Sequence, residues 1–194
     1  MKAQNKGKKV DVFSDNQLME QVRDGKVEKM AILFERYHMM LFNFMLRLTG
    51  NKNISEDLVQ DVFYRMLRYR HTYKGKNKFT IWMYQIARNV HIDYLRKNKN
   101  AVPLDDQWEE IHSREPAPME HMEQEKDIQL IRQAMSRLSV KKREILILSR
   151  FQDLKYKEIA ELMDCHIGTV KATVHRAIKD LGKIYGELSG GITP

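Results

Sequence analysis

Cysteine is nearly missing from this chain: Cys165 is the only one in 194 residues. A lone thiol makes no internal disulfide, so no covalent staple holds the fold, and it suits a reducing compartment. Proline is scarce as well, and three of the four, Pro103, Pro116 and Pro118, crowd into one short stretch. Elsewhere helices run without their main breaker. No apolar run approaches the ~20 residues of a membrane span, and the Lys-rich start lacks the apolar core of a secretory signal. The expectation is a soluble, cytoplasmic protein with no membrane insertion. A glycine-rich phosphate loop, His or Cys pairs at metal-ligand spacing and a nucleophile with its base are also missing. His91 and Asp93, two apart on a helix, point to different faces. An enzyme acting on nucleic acid is therefore disfavoured, and no cofactor or metal is predicted.

What the chain has in excess is positive charge, with a net +8 and a pI near 9.5. Its distribution says more than its sum. Residues 1–100 hold 20 Lys and Arg against 10 acids, residues 101–127 hold 2 against 9, and residues 128–194 hold 12 against 7. Two basic blocks flanking an acidic, Pro-containing spacer suit two modules that meet a polyanion and a connector that does not.

Helix signals dominate and no period-two strand pattern appears. Ser14 with Gln17 reads as a capping box, and Ser55 followed by Glu56 and Asp57 as a helix start. The predicted helices cover about 14–24, 26–49 (stopped by Gly50), 55–70, 80–98, 120–137, 140–151, 155–163 and 167–187. The fold class is all-α, two small helical domains over 14–99 and 120–188. Between them lies a flexible acidic linker (100–119), with a disordered basic N-terminus (1–13) and a disordered tail (189–194) outside.

From Tyr156, YKEIAELMDCHIGTVKATVHRAIKDL has helix-turn-helix spacing. Ile159, Ala160 and Leu162 are predicted inward, and Asp164, Cys165 and His166 make the turn, His166 substituting for a helix cap. Val170, Val174, Ala177, Ile178 and Leu181 then form a core stripe. Thr169, Lys171, Ala172, His175, Arg176 and Lys179 are left on the other side, where a basic helix fits a major groove and its cations reach base edges.

The stretch from Tyr64 to Lys99 interleaves ten basic residues with seven aromatics, Tyr64, Tyr69, Tyr73, Phe79, Trp82, Tyr84 and Tyr94, against one acid, Asp93. Cations that track phosphates and rings that stack on unpaired bases suit single-stranded DNA, with about half of the rings expected in the core. The loop HTYKGKNK places Tyr73, Lys74, Lys76, Asn77 and Lys78 near a flexible Gly75, and Trp82, Asn89 and Arg96 share one face of the following helix. Upstream, Leu58, Val62 and Met66 read as core, leaving Asp57, Gln60 and Asp61 to solvent or a protein partner.

EDLVQDVFYRML, FTIWM with IARNVHIDYLRK, LSVKKREILIL, YKEIAELM and GTVKATVHRA, in that order, carry a resemblance. From about Asp15 to Leu188 the chain resembles bacterial RNA polymerase sigma factors of the compact extracytoplasmic-function (ECF) group. The resemblance implies that 14–99 is sigma domain two, meeting core RNA polymerase through Asp57, Gln60 and Phe63, although Phe63 also reads as core. It implies that Tyr73, Lys74, Lys76, Asn77 and Lys78 capture a flipped base of the minus-ten element, supported by Trp82, Asn89 and Arg96. Domain four, 120–188, would read the minus-thirty-five element with Thr169, Lys171, Ala172, His175, Arg176 and Lys179. Promoter DNA and an anti-sigma protein are the further implied partners. Asp164 stands where the family usually has glycine and His166 where Ser is usual. A stand-alone helix-turn-helix regulator is the competing reading, though it leaves the aromatic-basic module unexplained.

Overall fold

The computed structural model describes residues 13–98, 119–152 and 154–190, with side chains from 126 onward in the second of these segments. Every regular element among them is helical: α1 (Asp15–Arg23), α2 (Met30–Thr49), α3 (Lys52–Arg68), α4 (Phe79–Lys97), α5 (Met119–Ser136), α6 (Val140–Arg150), α7 (Tyr156–Leu162) and α8 (Ile167–Leu188). The predicted acidic linker lies outside the described residues, as do most of both predicted tails.

Local chemistry sets the boundaries. Ser14 caps α1 through the predicted box, its Oγ accepting from the Gln17 N–H while the Gln17 side chain accepts from the Ser14 N–H. Gly50 ends α2 in the left-handed conformation, φ 71°. Two boundaries differ from the sequence reading. A 3-10 turn, Val27–Lys29, precedes α2. The third helix starts at Lys52, not Ser55: Asn51 Oδ1 accepts from the Ile54 N–H at 2.9 Å and is the true cap. Ser55 is fully buried in the first turn, its hydroxyl bonded to the Thr49 hydroxyl and the Asn51 carbonyl. A serine hydroxyl serves either role, and sequence does not choose between them.

Helices α1–α4 close around Leu18, Met19, Leu33, Leu41, Phe44, Met45, Val62, Met66, Met83 and Tyr84, all essentially buried. Phe44 meets Tyr84 edge-on at 5.2 Å. In the C-terminal half, Ile145, Ile147, Leu148, Ile159, Leu162, Val170 and Val174 form the centre between α6, α7 and α8. One apolar cluster spans both halves, because α6 packs on α2 and α7 on α4. Polar bonds tie the same seam. Tyr84 Oη donates to Gln152 at 2.5 Å, Arg88 pairs with Glu144 at 3.1 Å, and Arg143 donates to the Leu48 carbonyl at 2.9 Å.

Asn51→Ala is expected to lower the unfolding free energy by about 1 kcal/mol, and Phe44→Ala by about 3–5 kcal/mol. Urea titrations should show lower midpoints at unchanged slope, and equal losses for the two would contradict this division between cap and core.

Candidate nucleic-acid interface

The loop between α3 and α4 is clamped at both ends by α1. At its start Tyr73 is buried (3% exposed), its ring edge-on to Trp82 at 5.3 Å, and its carbonyl accepts from Arg23 at 3.4 Å. At its end the Phe79 N–H, first of α4, donates to Asn16 Oδ1 at 2.8 Å, so a side chain from α1 caps α4. Asn16 also donates to the Asn77 carbonyl. Between the clamps Gly75 has φ 67°, and a Cβ there would sit 2.5 Å from a Glu20 carboxylate oxygen. Asn16, Glu20 and Arg23 were not found by sequence reasoning. They lie 50 to 63 positions upstream, and only the fold brings them to the loop.

The clamped loop encloses a pocket of about 180 Å³, lined by Thr72, Tyr73, Lys74, Lys76, Asn77, Trp82 and Gln85 among others. It is smaller than a metabolite cleft and of a size for one flat aromatic group. Trp82, half-buried, forms one wall and donates from Nε1 to Thr72 Oγ1 at 3.3 Å. Lys74 and Lys76 are exposed and form no ion pair among the described residues. Asn89 and Arg96 are exposed further along α4. Arg96 shares Asp93 with Arg65, at 2.8 and 2.7 Å, and the Arg65 hydrogen bond is the main reason that the Asp93 carboxyl titrates below the usual range.

The rings divide. Tyr64 and Tyr69 are exposed, Trp82 and Tyr94 half-buried, and Tyr73, Phe79 and Tyr84 sealed in the core. Tyr73 therefore supports the loop and meets the pocket only as its packed floor. Burial holds its hydroxyl up at about 12, with Glu20 adding to the effect. Phe63 is packed down as well, in keeping with its alternative reading as core. It is 6% exposed and packs against Phe34 at 4.8 Å, so among the three expected polymerase contacts only Asp57 and Gln60 stand on the surface of α3. Phe34 (40% exposed) and Tyr64 (60% exposed) are the apolar surface there, a feature that period-3.6 reading alone did not resolve.

The helix-turn-helix forms as its spacing requires. Ile159, Ala160 and Leu162 are buried on α7, and the turn closes with Cys165 N–H to the Ala160 carbonyl and Asp164 N–H to the Glu161 carbonyl. Asp164 takes the left-handed position, φ 48°, which Asp tolerates better than most residues. His166 precedes α8 but its side chain makes no capping bond. On α8, Thr173 replaces Ile178 in the buried stripe, and Ile178 is 43% exposed. Thr169, Lys171, Ala172, His175, Arg176 and Lys179 are all exposed. None of their cations is neutralised by a carboxylate ion pair among the described residues, so the stripe is free to meet phosphate or base edges.

Comparison with known proteins agrees with this geometry. The family model for sigma-70 region 2 matches residues 33–101, and that for sigma-70 region 4 matches 128–181. The chain is 29% identical to the ECF RNA polymerase sigma factor SigX of Bacillus subtilis (strain 168), an alignment taking in 80% of this chain and 83% of SigX. It is 30% identical to SigM, another ECF RNA polymerase sigma factor of that organism, over 79% of this chain and 93% of SigM. This chain belongs to the ECF sigma factors. The solved complex of the sigma factor RpoE with the anti-sigma factor NepR from Bartonella quintana superposes with a TM-score of 0.61 at 26% identity, over 84% of this chain and 96% of that one. The structure of CnrH in complex with the cytosolic domain of CnrY shares the fold, with a TM-score of 0.66 at 16% identity, over 88% and 96% of the two chains. The region 2 match supplies what a stand-alone regulator would not need, so that competing reading falls away. No helix among the described residues is long and apolar enough to cross a membrane.

One titratable group at the seam of this sigma factor sets a pH dependence. His91 is 2% exposed, with neither ring nitrogen hydrogen-bonded among the described residues, and its pKa falls from 6.5 to about 4 through burial and the nearby Arg143. The unfolded state therefore takes up the proton first as pH falls. The stability is complete above 6.5 and is lost progressively as pH drops towards 4, by at most ~3 kcal/mol. Burial of Glu144 raises its pKa and acts in the opposite sense, so the comparison must be with a variant. His91→Leu should flatten the acid limb of a urea-midpoint-against-pH curve relative to wild type; parallel curves would contradict a neutral, dehydrated imidazole.

Proposed function

We propose that this sigma factor binds core RNA polymerase, directs it to particular promoters and helps to open the minus-ten element, working in the cytoplasm and catalysing no reaction itself. The observation that supports the reading is that one chain carries two distinct candidate surfaces: the stripe of α8, whose cations form no carboxylate ion pair among the described residues, and the clamped pocket of about 180 Å³ beside Trp82. The first suits duplex DNA, the second a base taken out of its stack.

In this reading residues 14–99 form domain two. Asp57 and Gln60 meet polymerase, with Phe63 shaping that surface from beneath. Lys74, Lys76, Asn77 and Lys78 hold the strand around the pocket floored by Tyr73, and Trp82, Asn89 and Arg96 continue its path along α4. Residues 120–188 form domain four, in which Lys171, Ala172, His175 and Arg176 read the upstream element while Thr169 and Lys179 take phosphates. Residues 100–119 link the two, and 1–13 and 189–194 are tails outside both. The anti-sigma factor that accompanies the RpoE relative in its solved complex supports a regulator of the same kind for this chain.

Run-off transcription with core polymerase tests the reading. Added protein should give initiation at a selected set of promoters, and no gain over core alone would reject it. Within that assay Arg176→Ala is expected to cost about 1–3 kcal/mol at one upstream base pair and to relax preference there, whereas a uniform loss on every sequence would assign Arg176 to phosphate only. Trp82→Ala should weaken binding of an unpaired minus-ten strand by about 1–3 kcal/mol while leaving upstream duplex binding unchanged.

A further inference from the structure

A larger cavity, about 440 Å³, opens between α2, α5 and the end of α6, and none of its lining residues belongs to the loop pocket or the α8 stripe. Its walls follow from helix spacing. Phe42 and Leu46 stand one turn apart on α2, Ile128, Ile131 and Met135 share a stripe of α5, and Phe151 closes the end directly after α6. Ile128, Ile131 and Phe151 are each about half exposed, so apolar surface gathers at one opening. Two cations, Arg47 and Arg132, line the same cavity. The Arg47 guanidinium lies 4.5 Å over the Phe151 ring and donates to the Asn43 carbonyl at 3.0 Å, which fixes it in place. Burial pulls this guanidinium below its ordinary pKa, and the Arg132 charge adds to the effect. Neither arginine forms an ion pair among the described residues. Acids on the surrounding helices are engaged elsewhere: Asp127 accepts from Tyr185 at 3.0 Å, and Glu144 pairs with Arg88 at 3.1 Å. Two like charges are thus drawn together at an apolar hollow, with no carboxylate among the described residues to offset them.

An apolar hollow flanked by guanidiniums complements a molecule with an aliphatic body and a planar anionic head, because a guanidinium fork donates two parallel bonds to a carboxylate. We propose that this cavity is a binding site for a single-tailed fatty carboxylate, its tail between Phe42, Leu46, Ile131 and Met135 and its head on Arg47 and Arg132. The volume lies within the range of small-molecule sites, about 300–1,000 Å³. It is too short for the other occupant that such chemistry attracts, an acidic amphipathic helix. A helix about 10–12 Å wide and rising about 5.4 Å per turn fills roughly 420–610 Å³ per turn, so the hollow takes only about one. Helix-in-groove docking reads anchors over about two turns. Because its residues are separate from both candidate nucleic-acid surfaces, this site stands or falls apart from the function proposed above.

Isothermal titration calorimetry of the full chain with octanoate, decanoate and dodecanoate, each below its micellar concentration, tests the site. Affinity should rise by up to about fourfold per added methylene, as burial of each tail carbon requires. Dodecyltrimethylammonium, with the same tail and the opposite head, should bind roughly tenfold more weakly than dodecanoate or worse. Arg47→Gln with Arg132→Gln should weaken dodecanoate by roughly tenfold or more. The control, Arg137→Gln with Lys141→Gln, makes an equal change of charge on exposed residues outside the cavity and should alter binding by less than about twofold. Ile131 is 46% exposed, so Ile131→Trp blocks the hollow without entering the core and should remove binding while the urea midpoint stays that of wild type. No binding by wild type, equal affinity for the anionic and cationic amphiphiles, no dependence on tail length, or equal losses in the two double variants would each overturn the site. So would a second copy of the chain taking the cavity, seen as a doubled mass by light scattering, or an acidic amphipathic peptide that displaces dodecanoate and binds more tightly.

Discussion

A single buried guanidinium sets the arrangement of this molecule. Arg143, 7% exposed, donates to the Leu48 carbonyl near the end of α2 and to the Ser136 and Leu138 carbonyls at the end of α5. The last carbonyls of any helix lack partners within it, and dehydrating them is costly unless a donor is supplied. Arginine suits the task because its planar fork reaches several acceptors and stays charged when water is removed. With α6 fastened in this way to α2, the short helix that follows is carried onto α4, and one apolar cluster becomes continuous through both halves. The same cation stands beside His91 and contributes to keeping that imidazole neutral.

The competing demands on α4 explain much of the rest. It must bury Phe79, Met83, Tyr84, Ala87 and Val90 to close a four-helix core, yet in the proposed function it also presents a wall to a nucleic-acid strand. The chain resolves this by turning the first residues of the segment into structure. Tyr73 and Phe79 are packed down, and with Tyr73 as a floor the loop above it can project Lys74, Lys76 and Asn77 outward. Trp82 sits at the boundary, half in the core and half in the pocket. Positive charge is concentrated where no apolar residue competes for the surface, on the loop and along α8, and where it approaches the core it is tied down, as Arg65 is by Asp61 and Asp93.

Much of this was legible in the residues themselves. Helix number and order, the Ser14 box, the Gly50 stop, the Leu58–Val62–Met66 stripe and the exposed face of α8 all follow from spacing and capping chemistry over a few positions. What was not legible depends on distance along the chain. The partners that clamp the loop come from α1, and the acids paired with Lys78 and Asn77 come from α7, and no local pattern ties either helix to the loop. Aromatic rings were ambiguous for a related reason. Tyr73 and Tyr69 look alike in sequence, and only the packing of α4 decides that one is sealed and the other open. Ser55 and Asn51 were confused because both can accept from the first turn of a helix, and the choice falls to whichever hydroxyl or amide the neighbouring Thr49 leaves free.

The proposed function divides the labour, with the loop and Trp82 holding an unpaired strand while α8 reads duplex. Site-specific photocrosslinking in the assembled holoenzyme on promoter DNA measures that division directly. A benzophenone probe replacing Gln85, which lines the pocket, should label only the non-template strand of the melted element, and the same probe replacing Ala172 should label only upstream duplex. Labelling of duplex from position 85, or of the melted strand from position 172, would contradict it.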